Sequence, residues 1–251
     1  VIVARGSYDY IERVFSQMYM PHKVVDPMAF DAFGPSAEQI VFLNCPGAVS
    51  EDGVRNLVRF VEQGGFLFTT DWALKHVIEV GFPGTLRYNG KPTADEVVRV
   101  EIDAGEDPFL KSLISEKDDP LWWIEGSSYP IEILDENRVD VLVRSKEVRE
   151  KYGESPVFTS FDYGKGKVYH MISHFYLQRT ETRTLRQTQS SASYMEEKLC
   201  MNEERRMKYD GMGLRETSLG EVESAYSSSA LMNMVMYEKA SSLNQTIDDE
   251  L

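Results

Sequence analysis

Three short runs near the start of the chain contain no polar residue: Val1-Ile2-Val3-Ala4, Ile40-Val41-Phe42-Leu43 and Phe66-Leu67-Phe68. A strand with one wet face alternates apolar and polar residues, whereas one that is apolar throughout has to be covered on both sides. Between these runs lie segments of helical spacing. Tyr8, Ile11, Phe15 and Met18 form one stripe, behind a cap at Ser7 with Asp9 in the first turn, and Pro21 stops it. Val54, Leu57, Val58 and Val61 form another, capped by Ser50 and ended by Gly64 and Gly65. With a further strand at 22–26, the order is β-α-β-β-α-β-α. Such alternation at short spacing predicts an α/β fold, a mostly parallel sheet with helices on both faces.

In sheets of this kind ligands bind beyond the carboxyl ends of the strands. The loops there are Arg5-Gly6-Ser7, Asn44-Cys45-Pro46-Gly47 and Thr69-Thr70-Asp71-Trp72, and they are expected to share one rim. Asp71 sits where a buried strand turns into a helix. The reading favoured there is a helix N-cap, since Asp accepts backbone N–H bonds and complements the helix dipole. The sharper one is a carboxylate base or nucleophile. Cys45, beside Pro46-Gly47, is either a small half-buried strand end or a partly exposed thiol with a lowered pKa. His174 closes a hairpin made of 157–161, a Gly164-Lys165-Gly166 turn and 168–173. It is expected to be a hydrogen-bonded structural histidine, the alternative being a partner for Asp71 that positions a water.

The middle of the chain is poorer in helix. Strands are expected over 96–103, 122–134 and 139–145, and a short helix or turn over 107–113. Trp122, Trp123, Tyr129 and Phe109 are expected in the core, with an aromatic wall for a sugar or a partner as the alternative. Composition shifts near residue 178 to a stretch rich in Thr, Ser, Gln and charge. The organisation expected is an α/β domain over 1–177, a polar and mobile arm over 178–216, and a helix over 217–243 that packs back on the domain. Ser218 and Glu221 have capping-box spacing, and Val222, Ala225, Tyr226, Ser229, Met232 and Met236 form the stripe expected to face inward.

Charge and composition limit the partners. The 251 residues carry a formal net charge of −14, which opposes binding to nucleic acid or to an anionic membrane. Two unrelated cysteines, Cys45 and Cys200, argue against a disulfide framework and for a reducing, cytoplasmic setting. The opening VIVARGSYDY lacks the long apolar core of a secretory signal, and its first residue is Val, as if an upstream portion had been removed. His22, His76, His170 and His174 have no metal-motif spacing; the last two, four apart on a strand, would lie about 13 Å from each other. The single glycine of ARGSYDY and the hairpin glycines of DYGKGK are not dinucleotide or phosphate loops. No metal and no cofactor are expected.

Three segments resemble the class I glutamine amidotransferase-like superfamily, closest to its ThuA-like, non-amidotransferase branches. VFLNCPGAVSEDGVRNLVRFVEQGG resembles the strand, oxyanion-side loop and following helix; FLFTTDWALKH resembles the nucleophile elbow; FDYGKGKVYHMISHF resembles the late hairpin that ends in the catalytic-position histidine. The resemblance spans roughly 1–177 and the last helix. It implies a flavodoxin-like, amidotransferase-like domain with a C-terminal helical extension. Carried over by position, the elbow cysteine is Asp71, the general base is His174, and the acid two residues later is Tyr176. Glutaminase chemistry needs a thiolate beside a base, so glutamine amide transfer is rejected. Two readings follow. The leading one is a catalytically degenerate domain that binds or assembles with a protein partner, or with itself, in a larger bacterial-type system. The alternative is a ThuA-like hydrolase or small-molecule (carbohydrate) binding protein, with Asp71, His174 and Cys45 in a rim pocket. A flavodoxin-like nucleotide binder is the third and least supported reading.

Overall fold

The computed structural model describes residues 1–103, 121–175, 185–197, 200, 202–207 and 215–249. Its centre is an eight-stranded sheet. The strands are β1 (Ile2–Ala4), β2 (Lys23–Val25), β3 (Ile40–Leu43), β4 (Phe66–Thr70), β7 (Glu101–Ile102), β10 (Asp140–Arg144), β11 (Pro156–Tyr163) and β12 (Gly166–Met171). They lie in the order β2-β1-β3-β4-β12-β11-β10-β7. The five from β2 to β12 run parallel, and β11, β10 and β7 continue antiparallel. The all-apolar runs are the central strands β1, β3 and β4, buried at every position as both-face coverage requires. Phe68 stacks on Phe42 at 5.4 Å, on Tyr169 at 5.9 Å and on Phe158 at 5.5 Å, so one ring layer crosses four strands, β3, β4, β12 and β11.

The helix Glu51–Glu62 begins as its sequence predicts, with Ser50 Oγ accepting the Gly53 N–H at 3.0 Å. The first helix differs. It spans Ile11–Gln17, Ser7 does not cap it, and Tyr8 is half exposed. The backbone explains the delay: Ser7 and Tyr8 N–H both donate to Cys45 O, which holds the chain against the neighbouring loop before it can coil. Asp9 is not a solvated first-turn acid. It is buried and accepts from Tyr10 N, Thr70 Oγ1 and Phe175 N.

The last helix runs over Leu219–Asp249. Met232 and Met236 of the expected stripe face the core, joined by Leu231, Met234 and Val235, while Val222 near the helix start is exposed. Lys239 occupies that inward face. Its Nζ donates to Ala37 O at 2.7 Å and Gly64 O at 2.6 Å, over the Phe66 ring. These charge-assisted bonds satisfy the buried ammonium on the helix's inward face. Short helices occupy Leu185–Thr188, Ser191–Glu197 and Glu203–Met207. The turn or helix expected at 107–113, Phe109 with it, and Tyr176 lie outside the described residues.

Two small antiparallel pairs complete the fold. Leu86–Tyr88 (β5) pairs with Ile131–Ile133 (β9), and Glu96–Arg99 (β6) pairs with Leu121–Ile124 (β8). Between β8 and β9 the chain has to cross the carboxyl-end rim of the sheet, and this crossing supplies half of the site. Trp122 and Trp123 are buried, as strand aromatics were expected to be. Among the described residues no helix is long and apolar enough to cross a membrane.

Candidate functional site

The parallel register places the ends of β3, β4 and β12 side by side, with Leu43 beside Thr69 and Thr70 beside Met171. Cys45, Asp71 and His174 follow those ends directly. Their ligating atoms lie within 4.8 Å of one another, and all three side chains are buried. Three of the candidates read from the sequence thus meet in one cluster at the strand ends.

Asp71 is turned into the cluster by its backbone. Its φ is +45°, a left-handed conformation that a non-glycine residue adopts only under constraint. Its N–H donates to Met171 O at 2.8 Å, tying the elbow to the adjacent strand. The chain then winds a wide π turn over Leu74–Ile78, a form frequent at functional sites. This geometry corrects the N-cap reading. The Asp71 carboxylate accepts the Tyr129 N–H at 2.9 Å through Oδ1 and the Ser128 hydroxyl at 3.0 Å through Oδ2, and so looks away from the helix it precedes. Burial raises its pKa, against the facing His174 and the hydrogen bonds from Tyr129 and Ser128.

His174 is clamped. Nδ1 is 2.6 Å from Glu125 Oε2, and Nε2 is 3.4 Å from Asp71 Oδ2. The second contact is poorly aligned, so Nε2 remains a buried nitrogen with no hydrogen-bond partner. Burial by itself would lower the His174 pKa, but the facing Asp71, Cys45 and Glu125 outweigh it and hold it well above the usual value. Two carboxylates and a thiol therefore face one imidazole. Glu125 is the residue the sequence did not announce. The acid missing after His174 is supplied from the end of β8, at a position without a motif.

Cys45 is 1% exposed, and burial raises its thiol pKa, so it is the small strand-end residue of the first reading, buried more fully than expected, and not the partly exposed, activated thiol of the alternative. Its Sγ donates to Asp71 Oδ2 at 3.9 Å.

The other rim residues mainly hold these three. Gly6 passes so close to Cys45 O that a Cβ would stand 2.2 Å from it. Asn44 is buried and fastens the first helix through Ile11 N and Glu12. The Cys45–Pro46 peptide is cis, and Gly47 follows at φ +72° against Ala73. Thr70 accepts Cys45 N and donates to Asp9. Thr69 faces away from the cluster, 2.8 Å from His170 Nδ1. Arg5 and Ser7 are exposed at the rim; the Arg5 N–H is bonded to Val25 O, on the β2 side.

Above the cluster runs the 125–130 loop. It is pinned by Gly126 N to Asp95, Ser127 N to Thr93 O and Ser128 N to Thr93 Oγ1, with Ser127 at φ +69°. Trp72 Nε1 donates to Ser127 O at 2.7 Å. The aromatic wall beside the site is not the tryptophan pair of β8. It is Tyr8, Trp72, Tyr129 and Tyr88, in successive ring contact at 5.3, 5.6 and 4.0 Å.

No family model matches the chain, and no curated protein matches it. Solved structures do match, at low identity. A ThuA-like protein from Bacteroides uniformis is 12% identical, with 68% of this chain and 80% of that one covered, at a TM-score of 0.50. A GMP synthase-like protein from Thermoplasma acidophilum is 11% identical over 70% and 84% of the two chains, also at 0.50. A cytoplasmic protein from Salmonella typhimurium is 9% identical over 72% and 91%, again at 0.50. The chain spans only 22% of the length of a β-galactosidase that it also matches, at a TM-score of 0.43. These likenesses are of fold. The fold is α/β, mostly parallel, and of the amidotransferase-like and ThuA-like kind.

Proposed function

We propose that this chain is a hydrolase-type, small-molecule-binding domain that works at the carboxyl-end rim of its sheet, with Asp71 and His174 positioning a water and Glu125 fixing the imidazole. One observation carries the reading: a buried histidine paired through Nδ1 with Glu125, its Nε2 standing 3.4 Å from a second carboxylate on a left-handed elbow. An acid–imidazole–acid row holds a proton and can pass it, which is what general acid–base catalysis requires. The Tyr8, Trp72, Tyr129 and Tyr88 wall offers flat apolar faces next to it, suited to the ring of a sugar. Glutamine amide transfer is not part of the proposal, since the elbow carries a carboxylate and Cys45 is held as a thiol.

The test is a panel of chromogenic esters and glycosides turned over by wild type, Asp71→Asn and His174→Gln. Hydrolysis in the wild type, reduced by about 10²-fold or more in both variants, supports the reading. Equal turnover in wild type and Asp71→Asn removes the carboxylate from the mechanism.

A second reading is favoured by the depth of the cluster. Asp71 and His174 are only 3% and 4% exposed under the 125–130 loop. A catalytically degenerate domain that binds or assembles with a protein partner would keep such a closed site as a relic. Affinity capture by the full chain, with a native mass above that of the monomer and no turnover on the panel, would favour it.

A further inference from the structure

The same cluster has the composition of a metal centre. Cys45 Sγ, Asp71 Oδ2 and His174 Nε2 come from three different loops and point at one another. Around a tetrahedral zinc ion such ligand atoms stand about 3.3–3.6 Å apart, given metal bonds of roughly 2.0–2.3 Å. Here Nε2 to Oδ2 is 3.4 Å, Sγ to Oδ2 is 3.9 Å and all three atoms lie within 4.8 Å of one another, so an inward movement of roughly an ångström or less closes one face of the tetrahedron.

Three further observations point to a cation at this point. His174 Nε2 is buried, aimed into the cluster and without a hydrogen-bond partner. Its other nitrogen is held at 2.6 Å by Glu125, the carboxylate–histidine arrangement that keeps a proton on Nδ1 and lets a metal take the place of the one on Nε2. Asp71 is likewise held, by Tyr129 N and Ser128 Oγ, and Oδ2 keeps a lone pair for coordination. A divalent ion would also balance the charge, since a thiolate and a carboxylate in a buried pocket sum to −2. A thiolate, an imidazole and a carboxylate together suit zinc and disfavour magnesium or calcium, which take oxygen ligands.

We propose that Cys45 Sγ, Asp71 Oδ2 and His174 Nε2 bind a zinc-type divalent cation, with Glu125 as the positioning residue of His174. Three protein ligands leave a fourth position for water, so the proposal deepens the hydrolase-type reading and rests on it for the use of the metal. The metal itself can be tested separately.

The experiment is cobalt titration of the chelator-treated full chain, followed by absorbance, with zinc affinity from competition against a chromophoric chelator. The expected result is a saturable thiolate-to-cobalt charge-transfer band together with tetrahedral ligand-field bands. The charge-transfer band disappears in Cys45→Ser and persists in Cys200→Ser, whose cysteine is exposed elsewhere. Glu125→Gln keeps the band and weakens zinc binding about 10–100-fold. No charge-transfer band in folded wild type, or one that follows Cys200 rather than Cys45, overturns the proposal. Metal binding without turnover on the substrate panel would sink the hydrolase reading alone, and turnover unaffected by chelation would sink the metal alone.

Discussion

Acidification should destabilise this protein through a single residue outside the site. His170 lies on β12, fully buried, with Nδ1 against Thr69 Oγ1 and Nε2 without a partner. Burial lowers its pKa from 6.5 to about 3. A group whose pKa is depressed on folding contributes stability that is complete above the unfolded value and is lost as pH falls towards the folded one. The window is therefore pH 6.5 down to about 3, with a limiting slope of about 1.4 kcal/mol per pH unit. Between pH 6.5 and 4.5 the unfolded histidine gains most of its proton and the folded one almost none, which amounts to about 2 kcal/mol. The perturbation is His170→Gln, which cannot titrate but can still bond Thr69. The assay is urea unfolding of both proteins at several pH values across that range. Asp71 and His174 also titrate, but their raised pKa values give the opposite slope and are common to both chains, so they cancel. The gap between the two stabilities should move by about 2 kcal/mol in favour of the variant as pH drops. Parallel pH profiles would refute the claim that His170 is held neutral.

Other perturbations follow from the packing. Gly47→Ala meets both a φ of +72° and an Ala73 Cβ at 2.7 Å, and should cost about 2 kcal/mol or more in urea unfolding; Gly84→Ala, at φ +81° in open space, should cost about 1. Ser50→Ala removes the acceptor for Gly53 N and should cost about 1 kcal/mol by the same assay. Lys239→Met keeps the stem but leaves Ala37 O and Gly64 O without their donor; a loss of about 2 kcal/mol and faster proteolysis of the last helix are expected.

The parallel half of the sheet is legible in the sequence because its physics is local. Runs with no polar residue cannot be edge or one-sided strands, and Ser50 is followed by a periodic apolar face. The site is legible only in its floor. Cys45, Asp71 and His174 follow strand ends, and strand ends of a parallel sheet converge whatever their sequence. Glu125 stays hidden because the path of the β8–β9 crossing depends on pairings between residues far apart in the chain. Asp71 misleads because Asp before a helix usually caps it, and the sequence cannot reveal a positive φ at a non-glycine residue. Ser7 misleads because its N–H is claimed by Cys45 O, a contact between two loops.

The loop over the cluster is fastened at two points to the Asp71 carboxylate itself, through Tyr129 N and Ser128 Oγ. The cover of the cluster is thus hung from its floor. A carboxylate accepts such bonds more strongly charged than neutral, so the charge carried by Asp71 also sets how firmly the loop is held. Admission and occupancy become one variable: whatever draws electron density from that carboxylate loosens the cover above it, and the ionised state is the one that locks itself.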